Sequence, residues 1–175
     1  MRTGAEACAL LLALACVAGA DAGGLPQFGR PASAHALASR EASIFPDGRG
    51  LPPGSGTVAE GRVVFERRCA TCHGASGRGG PGGELAGGNP DLTAPQPDRT
   101  IGTYWPYATT LFDFIRRAMP LDAPRSLTDD EVYALVAYLL DLNGIPVDGH
   151  LDASALAAVK MPNRQGFRWI DAQPD

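Results

Sequence analysis

Residues 66–74 read ERRCATCHG, and no other stretch constrains the chain as much. Cys69 and Cys72 lie three residues apart, and His73 follows at once. This spacing suits a metal knuckle, a redox dithiol, or covalent attachment of a haem. A structural zinc site wants four ligands, usually spread over two knuckles. Of the four cysteines, Cys8 and Cys16 fall in a removable leader, and the other histidines are His35 and His150, so no second knuckle exists. A thioredoxin-like dithiol follows a strand in a βαβ unit, whereas here the motif ends a predicted helix. Haem attachment explains the pattern best. Cysteines at i and i+3 share a helical face and can bond both vinyl groups, leaving the adjacent His73 under the iron.

A haem also resolves a packing problem. Three short helices and a glycine-rich loop make a small core for a domain of about ninety residues, which is marginal alone. A buried macrocycle supplies the missing interior. The sixth iron position decides between electron transfer and small-molecule chemistry. With Met1 lost, Met119 and Met161 are the candidate thioethers. Met119 is favoured, because it sits between two apolar helices and Pro120 forces a turn there. Met161, also followed by proline, is the rival, and a methionine filling the core is the ordinary alternative for either.

The first twenty residues differ in kind from the rest. Arg2 gives a positive start, ACALLLALACVAGA is an apolar run, and Ala18-Gly19-Ala20 fits a signal-peptidase site. The stretch reads as a secretory signal peptide over 1–20, too short for a membrane span. A lipoprotein reading of Cys16 is the minor case, since Ala13 stands where leucine is usual. The mature chain is then expected near Asp21, soluble and periplasmic, in an oxidising compartment. A net charge of −4 gives no reason to expect nucleic acid or an anionic membrane as partner.

Residues 21–56 are rich in Gly, Pro, Ala and Ser and read as an extended arm. Thr57 and Glu60 have capping-box spacing, which predicts a helix running into the cysteines with Gly61, Val64 and Phe65 on one face. Residues 75–100 hold too many glycines and prolines for regular structure and predict a long functional loop. Pro106 opens a second helix, with Leu111, Phe112 and Ile115 on one side, ending at Met119-Pro120. Thr128 and Glu131 form a second capping box, with Leu127 and Val132 suiting a hydrophobic staple. Val132, Leu135, Val136 and Leu139 make the apolar stripe of that helix, and Asn143-Gly144 closes it. Residues 146–175 read as a C-terminal arm with one short helix, Ala153 to Lys160. His35 and His150 lie in polar stretches and read as exposed. Arg116 and Arg117 suit either haem propionates or the end of their helix. Tyr104, Trp105 and Tyr107 read as a haem-edge lining or an aromatic core cluster.

CATCH after a first helix, NPDL in the middle loop, RRAMP, and VAYLL in the last helix resemble the class I cytochrome c family over roughly Thr57 to Gly144. The resemblance implies an all-α fold over 57–145, with helices around one covalently attached haem c and extended arms on both sides. It implies that Pro90 offers its carbonyl to Nδ1 of His73, that Leu92 packs on the haem, and that Gly61 and Phe65 meet the last helix near Tyr138.

A narrower resemblance rests on TIGTYWPYATTLFDFIRRAMPLDAPRSLTDDEVYALVAYLLDLNGI, with FGRPA, GLPPGSGT and KMPNRQGF flanking it. These stretches are similar to the D-type cytochrome subunit of the sulfur-oxidising (Sox) sulfane dehydrogenase and to sulfite dehydrogenase cytochromes. That implies an electron-transfer subunit whose partner carries a molybdenum cofactor and does the sulfur oxidation, with another cytochrome c as acceptor. The resemblance places no catalytic residue for sulfur chemistry on this chain. Cys69, Cys72, His73 and Met119 are its expected cofactor residues, the last two as iron ligands. A free-standing monohaem carrier and a haem enzyme such as a peroxidase stay open as alternatives.

Overall fold

The computed structural model describes residues 29–38 and 43–168. The expected signal peptide, with Cys8 and Cys16, lies outside them. The chain falls into two compact units, Met1–Arg40 and Glu41–Asp175. In the first, Ala34–Ala38 forms a short helix, α1, whose Ala36 amide donates to Ser33 Oγ at 3.1 Å. His35 is exposed on it.

The second unit is built around two capped helices. Helix α2, Val58–Arg68, starts at the expected capping box. The Glu60 amide donates to Thr57 Oγ1, and the Thr57 amide to Glu60 Oε2 at 2.9 Å. Together these bonds satisfy two amides that a helix N-terminus otherwise strands. α2 does not run unbroken into the cysteines. Cys69 leaves helical geometry (φ −123°, ψ −34°), and a separate turn, α3, spans Ala70–His73. Helix α4 follows at Ala108–Ala118, burying Leu111, Phe112 and Ile115. Helix α5, Asp129–Leu142, begins at the second capping box, formed by Thr128 and Glu131.

α5 is the centre of the unit. The expected stripe of Val132, Leu135, Val136 and Leu139 is buried, but so is every residue from Val132 to Leu140. An apolar stripe reports one covered side; a helix buried all round has neighbours on every side. α2 covers one side and α4 another, and the remainder lies under a two-stranded ribbon and the segment before it. The α2 contact is close because Gly61 has no side chain. A Cβ there would collide with the Ala134 carbonyl and come within 2.8 Å of the Tyr138 Cβ. Phe65 then meets Tyr138 with ring centroids 5.2 Å apart.

The ribbon carries no clear sequence signal. Strand β1, Ser55–Thr57, pairs antiparallel with β2, His150–Asp152, with Gly56 opposite Leu151. His150, expected in an irregular stretch, is a strand residue and is exposed. Helix α6, Ala153–Ala158, follows directly, capped by Asp152 through the Ala155 amide at 2.8 Å. Leu151, Leu156 and Met161 all enter the core. Before β1, Ile44 reaches the same core, and the Ser55 amide donates to Asp130 Oδ1 at 2.8 Å. Residues 75–100 form the expected loop without helix or strand.

Candidate functional site

The turn at Cys69–His73 gathers three of the four expected residues. The amides of Cys72 and His73 both donate to the Cys69 carbonyl, at 3.1 and 3.0 Å. Cys69 packs partly buried against the core, while Cys72 is exposed; both are free thiols. Burial pushes the Cys69 thiol up to about 11, against a weaker opposing pull from Arg68. Among the described residues no three His, Cys, Asp or Glu side chains converge as a metal-ion site.

His73 is oriented by backbone. Its Nδ1 lies 2.7 Å from the Gly83 carbonyl oxygen, which can only accept, so Nδ1 carries the proton and donates. The lone pair is left on Nε2, the nitrogen an iron ligand uses. This corrects the expectation for Pro90: the acceptor is Gly83, ten residues after the histidine. The loop turns back early because the Gly82 amide donates to the Cys72 carbonyl at 2.6 Å. A Cβ on Gly82 would stand 3.1 Å from the ring atoms Cε1 and Nδ1, so a bare backbone lets the loop lie against the imidazole. Pro90 lies farther along and lines a cleft with Thr103 and Asn143. Leu92 is half-buried in the same loop.

Met119 caps the C-terminal end of α4, its amide donating to the Ile115 carbonyl at 3.0 Å. It is half-buried against the same cluster as Cys69, and Pro120 follows through a cis peptide bond. Met161 is 3 % exposed and belongs to the core itself. The aromatic residues divide. Trp105 sits edge-on to Phe114 at 5.8 Å, whereas Tyr104 and Tyr107 hold the segment after Met161. Phe167 meets Tyr104 at 5.3 Å, Asn163 Nδ2 donates to the Tyr104 carbonyl at 2.7 Å, and the Arg164 guanidinium lies 4.4 Å over Tyr107. Arg116 pairs with Asp129 at 2.7 Å, tying α4 to the start of α5, and Arg117 pairs with Asp113 one turn back. Both guanidinium groups thus end helix α4 rather than standing free. Two clefts, of about 290 and 340 Å³, border none of Cys69, Cys72, His73 and Met119.

Two cysteines on one turn, an imidazole whose Nδ1 faces a backbone carbonyl, and no competing metal cluster among the described residues fit a haem attached at this turn. The cytochrome c family model matches residues 58–143, from the first residue of α2 to the cap of α5. Among solved structures, the sulfane dehydrogenase SoxCD from Paracoccus pantotrophus is 39% identical, with a TM-score of 0.76. The match covers 84% of this chain and 73% of that one. The chain belongs to the cytochrome c family. As a cytochrome c it takes covalent haem c and transfers electrons, and its class I fold is the mostly helical one expected, with a small ribbon added. No curated relative matches this cytochrome. Among its described residues no helix is long and apolar enough to cross a membrane.

Sequence reasoning missed two residues of this site. Gly83 acts through its carbonyl, which every residue possesses, so no pattern singles it out. Asn143 was legible as a helix stop, but its side chain also reaches the haem loop, holding the Leu85 carbonyl at 3.1 Å.

Proposed function

We propose that this cytochrome carries one haem c on Cys69 and Cys72, with His73 and Met119 as axial ligands. It serves in the periplasm as the electron-transfer subunit of a molybdenum-containing sulfane dehydrogenase. The partner oxidises the sulfane sulfur, and this chain receives the electrons and hands them to another cytochrome c. The observation that carries the reading is the 39% identity to the sulfane dehydrogenase SoxCD over 84% of the chain, well beyond the family match at 58–143.

The haem, when bound, supplies a one-electron ferric/ferrous couple. The chain's part is to hold it. Thioether links at Cys69 and Cys72 fix it to α3, and the Gly83 carbonyl fixes the His73 ring that faces it. Met119 suits the sixth position because it is only partly buried at a helix end, while Met161 is enclosed by the core. A thioether there raises the potential and saturates the iron, as electron transfer requires. The leader at 1–20 provides export, and the exposed parts of the segments 21–56 and 146–175, whose buried residues complete the core, are contact segments for the partner.

Co-expression with a molybdenum-cofactor sulfane dehydrogenase subunit tests the proposal. The two proteins should co-purify, and cysteine-bound sulfane sulfur should reduce the haem only when both are present. A cytochrome that stays monomeric beside that protein is a free-standing carrier, and the proposal fails. Reduction by sulfite in place of sulfane would move it to the sulfite dehydrogenases.

A further inference from the structure

The carbonyl that orients His73 belongs to a run, Pro81-Gly82-Gly83-Glu84, with little of its own to fix it. Glycine backbone is the freest of any residue, so a steady 2.7 Å bond needs anchors on both sides. Upstream, the Gly82 amide is held on the Cys72 carbonyl at 2.6 Å. Downstream, Leu85 is held at both backbone groups. Its amide donates to the Gly77 carbonyl at 2.8 Å, and its carbonyl accepts from the Ile101 amide at 3.2 Å and from Asn143 Nδ2 at 3.1 Å.

Asn143 is the side chain hydrogen-bonded to this bracket, and beside it Arg78 forms a looser ion pair with Glu84 at 3.7 Å. Asn143 Nδ2 also donates to the Leu139 carbonyl at 2.8 Å, and its Oδ1 accepts from the Gly102 amide at 3.1 Å. A residue that merely ended α5 would need none of the loop contacts. The Asn143 backbone amide already serves the helix end, donating to the Leu140 carbonyl at 3.0 Å. Two of the three side-chain bonds go elsewhere, to Leu85 and Gly102, and so clamp the interior of the long loop and the residues just after it to the end of α5.

We propose that Asn143 is a positioning residue for the haem, acting through Leu85 and Gly83 on Nδ1 of His73. The inference rests on the reading of His73 as the iron's imidazole ligand. An imidazole whose Nδ1–H is held by a carbonyl is more electron-rich at Nε2, and that favours the ferric state. Slackening the bracket therefore raises the potential.

The test compares haem-loaded wild type with Asn143→Ala and with Thr128→Ala, which loosens the opposite end of α5 without touching the loop. In Asn143→Ala, the ferrous-to-ferric ratio at a fixed ambient potential should rise several-fold. The His73 Nδ1–H proton of the reduced protein should exchange with solvent markedly faster. Thr128→Ala should lower stability and change neither. Equal shifts in both variants, or no shift in Asn143→Ala, overturn the inference while leaving haem attachment intact. Where Asn143→Ala yields no holoprotein, Asn143→Asp keeps the shape and the Gly102 contact but loses both donors, and is read by proton exchange alone; unchanged exchange overturns the inference. His73→Ala separates the two levels: an unaltered haem spectrum there would overturn the ligand reading and this inference together.

Discussion

Tyr133 donates its hydroxyl to the carbonyl of Pro52 at 2.8 Å, joining the second turn of α5 to the segment that precedes β1. The ring is fully buried and leans on Phe112, with centroids 4.5 Å apart. This bond fixes the entry of the chain into the haem domain at a point where backbone alone offers little.

Replacing Tyr133 by Phe keeps the ring packing and strands the partly buried Pro52 carbonyl. The expected cost is about 1 kcal/mol, measured by chemical denaturation. The phenol also makes a pH prediction. Burial raises its pKa from 10.0 to about 12, with nearby Asp129 and Asp152 adding to the effect. Between those values the unfolded chain loses the proton and the folded chain keeps it. Stability is therefore intact below pH 10 and declines as pH climbs toward 12. Tyr133→Phe should flatten that decline, and an unchanged alkaline slope would count against the assignment.

Gly61→Ala forces a methyl group onto the Ala134 carbonyl. α2 must move away from α5, and overpacking of this kind costs about 1–3 kcal/mol. Thermal denaturation of the holoprotein should show the loss, together with a changed near-ultraviolet signal from the Phe65–Tyr138 pair.

The two methionines separate by different readouts. Met119→Ala should abolish the long-wavelength band of a methionine-ligated ferric haem and lower the potential. Met161→Ala should leave both spectra and potential alone, yet destabilise the fold by about 2–5 kcal/mol through a core cavity. The reverse pattern would transfer the iron ligand to Met161.

Truncation after residue 145 would remove β2, α6 and the buried side chains of Leu151, Leu156 and Met161. Each fully buried side chain of this size contributes about 1.5–3 kcal/mol, so the shortened chain should lose much of its stability. Leu151→Ala is the milder version, expected to cost about 2–5 kcal/mol. Partner affinity is better probed at an exposed position such as Leu121, where stability should stay unchanged.

Local chemistry was the legible part. Both capping boxes lie within four residues of sequence, and each helix begins where its Thr and Glu predict. The buried faces of α2 and α4 follow from spacing for the same reason, whereas the α5 stripe showed only one of its covered sides. Contacts made by backbone carbonyls left no trace. Gly83 and Pro90 are equally able to accept a hydrogen bond, and only the path of the loop selects Gly83. The ribbon was invisible because three-residue strands have no room for alternation, and β1 begins Ser-Gly-Thr. At the iron, the attachment turn could be read from Cys69, Cys72 and His73 alone. The clamp by Asn143 could not, since its helix-ending role already accounted for an asparagine at that position.

The register that sets Gly56 opposite Leu151 also closes the domain on itself. β1 runs straight into α2, and β2 runs straight into α6. One three-residue pairing therefore ties the helix that leads to the attachment turn to the last helix of the chain, and a change in either strand is felt at both.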